Sequence, residues 1–221
     1  MIRLCDENYI LPDFSITPDF IRIQMFTQCF DSGIFDLWQV TEGKSITALI
    51  FRMDGNIRFA GKSTDETDEF LRIIGGNMPT NFSVMKYYET ELTPGYTEKV
   101  THDDLREIYS LIYGEECTSR SFSAWYTDIS HRMRHGFARG ACIRQNGEIV
   151  SVALSVAECE AGAVIGGVTT HPDYRHRGLA SLCVSKLAES LSIENKAVFV
   201  EVDENGPKEL YKKLGFREVK I

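Results

Sequence analysis

The sequence predicts an α/β protein of the α+β kind, with helices layered on a mixed sheet, and three observations carry that reading. In the second half the hydrophobic period switches between helical and alternating in the order two helices, three strands, helix, strand, helix, strand. A strand–helix–strand passage around 178–192 requires two strands to run parallel. A Pro94-Gly95 break within Leu92-Thr93-Pro94-Gly95-Tyr96-Thr97 divides the chain into 1–95 and 96–221. At 221 residues, with 43% hydrophobic and 25% charged side chains, the chain is long enough to bury a core without disulfides or metals.

The first part opens on a strand at 1–5 and a helix at 18–30, where Pro18 suits a first helical turn. Strands follow at 35–40, 45–53 and 57–61, the last two joined by the hairpin turn Asp54-Gly55-Asn56. A helix at 65–74 ends on Gly75-Gly76, and another strand spans 82–88. Phe35, Trp38, Tyr87 and Tyr88 read as core aromatics.

After the break, Thr101 with His102-Asp103-Asp104 forms a capping-box-like start, and Leu105, Ile108, Leu111 and Ile112 keep helical spacing. A second helix covers 121–134, with Phe122, Trp125, Ile129 and Met133 on one stripe and Gly136 as terminator. Strands at 137–144 and 149–157 meet across Asn146-Gly147, and a third spans 163–170. Glu158 and Glu160 fall in the turn before it and are expected to be exposed. An amphipathic helix covers 178–192, a β-branched strand 197–202, a short helix 208–214 and a last strand 216–221. The first part runs through a similar order of elements, which suggests a structural repeat resting on order alone.

Net charge and composition exclude several classes. A charge of −8 and a pI near 5.2 disfavour a phosphate-backbone partner, so no nucleic acid is expected. The N-terminus has acids where a signal peptide needs an apolar core, and no apolar run reaches about 20 residues, so no membrane span is expected either. Cys5, Cys29, Cys117, Cys142, Cys159 and Cys183 are scattered without a C-x-x-C pair and read as buried or half-buried thiols in a reducing, cytoplasmic setting. His131 and His135 share a helical face, but no nearby acid or cysteine completes a ligand set, so no metal is expected.

The chemistry concentrates in Val168-Thr169-Thr170-His171-Pro172-Asp173-Tyr174-Arg175-His176-Arg177-Gly178-Leu179-Ala180. This is a β-rich run, a proline-marked turn, two arginines and then small residues opening a helix. The first N–H groups of a helix lack intrahelical partners and sit at the positive end of its dipole, which makes an anion cradle. Gly178 and Ala180 leave room for a phosphate, and Arg175 and Arg177 add attraction. His171, directly before Pro172, reads as a turn residue.

Downstream lie Glu201-Val202-Asp203-Glu204-Asn205 and Leu210-Tyr211-Lys212-Lys213-Leu214-Gly215-Phe216. In this order and spacing, the segments resemble the GCN5-related N-acetyltransferase (GNAT) superfamily over about 101–221. The resemblance implies a GNAT acyl-CoA N-acyltransferase fold at 96–221 and a degenerate GNAT-like domain without a CoA site at 1–95. The two-part layout, and the run Gly166-Gly167-Val168-Thr169-Thr170-His171-Pro172, also resemble glycine N-acyltransferase-like (FR47-like) members. It implies that main-chain amides of Arg175, His176, Arg177, Gly178, Leu179 and Ala180 hold the CoA pyrophosphate, with Ser181 a further contact. Val168, Thr169 and Thr170 would pair with the pantetheine arm where two parallel strands splay, and Asn205 would contact the pantetheine amides. Tyr211 looks like the general acid that protonates the leaving thiolate, or else a packed aromatic whose hydroxyl bonds pantetheine. Glu201 looks like the general base, although its spacing to Asn205 is one residue shorter than in ribosomal-protein N-terminal acetyltransferases; the other reading is a solvated carboxylate.

Members of this superfamily often continue past the Gly-Phe into a further strand beside the one carrying Glu201, and this sequence has none. The final strand, a second subunit or the first part must fill that slot, and the first part is the expected source. That part has acids where a cofactor loop would fall, at Gly61-Lys62-Ser63-Thr64-Asp65-Glu66-Thr67-Asp68-Glu69, and residues 1–97 hold 8 basic and 14 acidic side chains. It should therefore complete the sheet or wall the acceptor cleft rather than bind CoA.

The expected activity is transfer of an acetyl group from acetyl-CoA to a primary amine by direct attack in a ternary complex. The protein would be a monomer or homodimer. A longer acyl-CoA, with the first part forming an acyl tunnel, and a catalytically silent CoA-binding module stand as alternatives. The identity of the amine is not encoded in any motif.

Overall fold

The computed structural model describes residues 1–6, 9–12, 14–77, 82–90, 93–114 and 121–220, and it divides into two units, Met1–Phe82 and Ser83–Ile221.

In the first unit, β1 (Ile2–Leu4) precedes α1 (Pro18–Cys29), then come β2 (Asp36–Glu42), β3 (Ser45–Met53), β4 (Asn56–Gly61) and α2 (Asp65–Ile74). The strands form an antiparallel sheet in the order β1-β2-β3-β4. Asp54 and Gly55 both take positive φ, the geometry a two-residue hairpin needs. Phe20 and Ile23 of α1 pack with Leu37, Leu49 and Phe51, and Phe35 joins them. Trp38 stands edge-on to Phe70 at 5.4 Å, in the cluster that α2 makes with Val40, Ile50 and Ile57.

The second unit contains β5 (Phe82–Tyr87), β6 (Glu98–Lys99), α3 (Leu105–Tyr113), α4 (Phe122–Arg134), β7 (Gly140–Gln145), β8 (Glu148–Glu158), β9 (Gly162–Thr170), α5 (Leu179–Ile193), β10 (Ala197–Asp203), α6 (Lys208–Lys213) and β11 (Phe216–Glu218). Its seven-stranded sheet has the order β11-β5-β10-β9-β8-β7-β6. β10 and β9 are parallel, as the α5 crossover demands. β5, which precedes the Pro94-Gly95 break in sequence, fills the slot between β10 and β11, so the units divide ahead of that break. Within the second unit, β6, α3, α4, β7, β8, β9 and α5 follow the first unit's order of strand, helix, three strands and helix, with one extra helix, and in both units those four strands lie side by side in chain order.

Alternation decides which side chains meet which layer. Val198, Val200 and Val202 of β10 join Ile165 and the α5 residues Cys183, Val184, Leu187, Ala188 and Leu191 on one face. Cys142, Val152 and Leu154 meet Leu105, Ile108, Trp125 and Ile129 of α3 and α4 on the other. Each fully buried leucine or valine contributes about 1.5–3 kcal/mol, so Leu187→Ala alone would cost about 2–5 kcal/mol. Among the described residues, no helix is long and apolar enough to cross a membrane, and no group of three or more His, Cys, Asp or Glu is placed to hold a metal. The His131 and His135 rings do lie together, 4.5 Å apart.

Several expectations need correction. The strand expected at 137–144 starts at Gly140, because His135, Gly136 and Phe137 close α4 by donating to His131, Met133 and Arg132 carbonyls. The final strand is three residues long, and the two-residue β6 was not foreseen. Tyr87 is buried, but Tyr88 is exposed under the Arg217 guanidinium. Glu158 is not exposed: it ends β8 fully buried, accepting from Arg139 Nε at 3.1 Å and Ser155 Oγ at 3.0 Å, with Lys196 paired to it. A buried carboxylate persists only with such partners. The five described cysteines are free thiols, and Cys117 lies outside the described residues.

Candidate active site

Two parallel strands part company at the centre of the second sheet. The β9–β10 ladder has four rungs, from Ala197↔Gly162 to Val200↔Ile165, and there it stops. β9 continues through 166–170 bonded to β8 alone, and β10 continues through Glu201, Val202 and Asp203. A bulge bends β9 as it leaves. Leu154 faces Gly166 but Val152 faces Thr169, so β9 has one residue more than β8 over this stretch. Gly167 in the bulge has φ +59°, which glycine adopts freely. The β9 edge thus offers main-chain groups that no strand takes up among the described residues, and such groups need water or a ligand.

Val168, Thr169 and Thr170 line that edge, all half-buried. Val168 packs toward the α5 core. Thr170 is tied down on three sides: its Oγ1 lies 2.8 Å from Ser151 Oγ, its carbonyl accepts from Arg175 Nε at 3.2 Å, and the next residue's N–H donates to Val150. Ser151 is fully buried and had not been singled out.

The chain then makes a 3-10 turn, Pro172–Tyr174, where His171 Nδ1 accepts from Asp173 N–H, the turn role expected of it. Arg175, His176, Arg177 and Gly178 are all exposed, with φ +61° at His176 and +76° at Gly178. Arg177 donates to the Asp173 carbonyl at 2.9 Å and lies over the Tyr174 ring. Neither Arg175 nor Arg177 pairs with a carboxylate among the described residues, so their charge is not neutralised. The first bond of α5 is from Leu182 N–H to the Gly178 carbonyl, 3.0 Å. The amides of Leu179, Ala180 and Ser181 therefore precede the intrahelical ladder. Gly178 as N-cap supplies no side-chain acceptor, and the first turn holds no acid. Among the described α-helices, α5 alone lacks both. A Cβ at Gly178 would meet nothing within 4 Å, so the cradle is open.

Glu201 sits one residue beyond the last parallel rung, half-buried. Since Val200 and Val202 point to α5, alternation turns Glu201 to the α3–α4 side. Tyr211 of α6 comes from the opposite face, buried in the α5-side core and edge-on to Phe216 at 5.7 Å. Its hydroxyl has no hydrogen-bond partner among the described residues, and burial pushes its pKa up, so the phenol keeps its proton at neutral pH. The two candidate proton-handling groups thus stand on opposite faces of β10. Asn205 is exposed in the turn after β10. Sequence reasoning missed the bulge, although paired glycines inside a strand pattern are its signal.

The family model of GNAT acetyltransferases matches residues 77–221. No curated protein matches the sequence. Among solved structures, a GNAT-family acetyltransferase from Colwellia psychrerythraea aligns with a TM-score of 0.57 at 9% identity, covering 99% of this chain and 96% of that one. A GCN5-related N-acetyltransferase-like protein from Streptococcus suis gives 0.53 at 18% identity, covering 92% and 90%. A Drosophila protein gives 0.56 at 10% identity, covering 84% and 76%. At such identities the likeness is one of fold.

Proposed function

The chain belongs to the GNAT acetyltransferase family, and we propose that it transfers an acetyl group from acetyl-CoA to a primary amine by direct attack in a ternary complex. Membership supports acyl-CoA-dependent N-acyltransferase activity; the acetyl donor, the amine and the residue roles are our reading. One observation carries it: α5 begins with neither a side-chain cap nor an acid, open to solvent, immediately after a strand edge that has lost its parallel neighbour. These residues suit a diphosphate with an extended amide-bearing arm.

In this reading the amides of residues 175–180, with Ser181, grip the diphosphate, and Arg175 and Arg177 attract it without side-chain neutralisation. The edge at Val168, Thr169 and Thr170 pairs with the arm as a strand would. Asn205 reaches the arm's amides from the opposite lip. The thioester supplies an activated acyl group and a thiolate leaving group. Glu201 takes the proton of the alkylammonium on the α3–α4 side, directly or through water. Tyr211 holds a proton on the other face for the departing sulfur. Acid and base on opposite faces keep the two proton transfers apart.

The first unit has no such role in this reading. Thr64 and Thr67 cap α2 reciprocally, and Asp65, Glu66 and Asp68 fill its first turn, leaving no opening for a phosphate. We assign the protein to the cytoplasm, where its free thiols suit a reducing medium. Calorimetry with CoA and a thiol-release assay over a panel of amines test the proposal. Amine-dependent CoA release is expected. CoA binding without turnover on any amine would instead assign a binding module, and the absence of CoA binding would refute the proposal altogether.

A further inference from the structure

We infer that Ser151, inside β8, is a positioning residue: it holds the β9 edge and the start of α5 at one fixed offset, so that both ends of one cofactor meet their sites together. The inference rests on the proposed function, in which the edge takes the amide-bearing arm and the helix start takes the diphosphate. Ser151 stands in the run Ile149-Val150-Ser151-Val152-Ala153, whose other four side chains are apolar and buried. It is itself fully buried. A hydroxyl in such a place is costly unless it is bonded.

Its partners lie on the two elements that carry the proposed cofactor site. On β9, Ser151 Oγ donates to the Thr169 carbonyl at 3.4 Å and lies 2.8 Å from Thr170 Oγ1. On α5 it hydrogen-bonds the thiol of Cys183, fully buried in the second turn. A hydroxyl has one proton and two lone pairs, so three neighbours use it in full. Thr170, Ser151 and Cys183 thus make a continuous polar link from β9 through β8 to α5, with Ser151 as its middle member.

The residue so held on β9 is one whose main chain faces the open edge. Along a paired strand, successive residues turn their main-chain groups to opposite sides. His171 N–H donates to the Val150 carbonyl, so His171 faces β8 and Thr170 faces away from it. The Thr170 carbonyl accordingly accepts from Arg175 Nε, in the segment that leads to Gly178. Thr170 therefore presents its N–H outward while Ser151 fixes its side chain from behind. A ligand that spans two sites gains from both only when its length matches the span between them. A ligand that uses one site alone does not sense that span, and this difference separates positioning from stability.

The test measures Kd by calorimetry for CoA, which spans both sites, and for ADP, whose diphosphate needs the helix start alone. Ser151→Ala should bind CoA about tenfold more weakly, the scale of one buried hydrogen bond, and bind ADP as the wild type does. Thr170→Val removes the partner hydroxyl at nearly constant shape and should reproduce that split. Thr170→Ser keeps the hydroxyl and should keep wild-type affinity for both ligands. Retained ADP affinity also shows that a variant is folded. Wild-type CoA affinity in Ser151→Ala, or an equal loss of CoA and ADP affinity, overturns the positioning role and leaves the proposed function standing. A wild type that binds no CoA overturns both.

Discussion

Replacing Gly178 by aspartate and by asparagine isolates the electrostatic part of diphosphate binding. Both side chains share one size, and both must adopt φ +76° with nothing within 4 Å of the new Cβ. The left-handed backbone costs a non-glycine residue about 1–2 kcal/mol, less for Asn and Asp, and it falls on free and bound protein alike. Stability should therefore drop by a similar amount in both variants, and that drop says nothing about the ligand. The difference between them is one negative charge. At about 5 Å, one unit charge repels another by about 0.8 kcal/mol in water and about 3 kcal/mol at the effective dielectric of a protein surface. Gly178→Asp should thus bind CoA about fourfold to two-hundredfold more weakly than Gly178→Asn. Calorimetric titration with CoA at low salt and at about 1 M salt reads the effect, and screening should shrink the gap at high salt. Equal affinities of the two variants at low salt would show that no diphosphate lies near this turn.

Tyr211→Phe should lower kcat by about 100-fold or more with CoA affinity and melting temperature unchanged, because the hydroxyl removed has no partner among the described residues; an unchanged kcat would remove Tyr211 from the chemistry. Its alkaline limb in a kcat–pH profile should lie above the ordinary tyrosine range and vanish in that variant. Glu158→Ala leaves Arg139 and Lys196 with Glu194 as their remaining carboxylate and opens a buried gap, and should cost about 2 kcal/mol by chemical denaturation; a loss below about 0.5 kcal/mol would mean the cluster is dispensable. Glu194 is held down to about 2 from 4.5, first by its hydrogen bonds from Arg139. A depressed carboxylate stabilises the fold above its unfolded pKa and stops doing so as pH falls through its folded value. The melting-temperature gap between wild type and Glu194→Gln should therefore be full at pH 7 and close between about 4.5 and 2, and a gap independent of pH would contradict that assignment.

The turn from β9 into α5 was legible because its signals are local: a β-branched run, a proline, then small residues opening a periodic helix. Ser45–Met53 and Asp65–Ile74 have the limits their patterns gave. What the pattern concealed was the company each strand keeps. Phe82–Tyr87 reads as a strand in any context, but its place between β10 and β11 depends on a slot left by residues more than a hundred positions away. Glu158 was misjudged for the same reason. A glutamate beside a turn is ordinarily solvated, and it is the charges of Arg139 and Lys196, from two other segments, that make its burial tolerable. The bulge at Gly167 lies between these cases, since the paired glycines mark it but only the register of β8 shows where the extra residue falls.

The way this chain begins its helices separates a structural start from a functional one. α1, α2 and α4 open on Thr17, Thr64 and Ser121, whose side chains accept a backbone N–H, and α3 and α6 hold a glutamate in the first turn. Such a cap stabilises a helix by about 1 kcal/mol, and one substitution to Ser, Thr or Asp is enough to create it. α5, at 15 residues the longest of the described helices, has no such stabilisation and begins on a glycine. At φ +76° a non-glycine residue costs about 1–2 kcal/mol, which offsets what a cap would contribute, so glycine here suits both the backbone and an unfilled helix start. A side chain at this position would also stand where an anion meets main-chain amides, so the bare start is what diphosphate binding needs. By this argument Gly178→Ser should weaken CoA binding, whereas a comparable change at the capped start of α2 should alter stability and leave CoA binding untouched. Equal loss of CoA affinity from both substitutions would mean that the two helix starts do not differ in the way proposed.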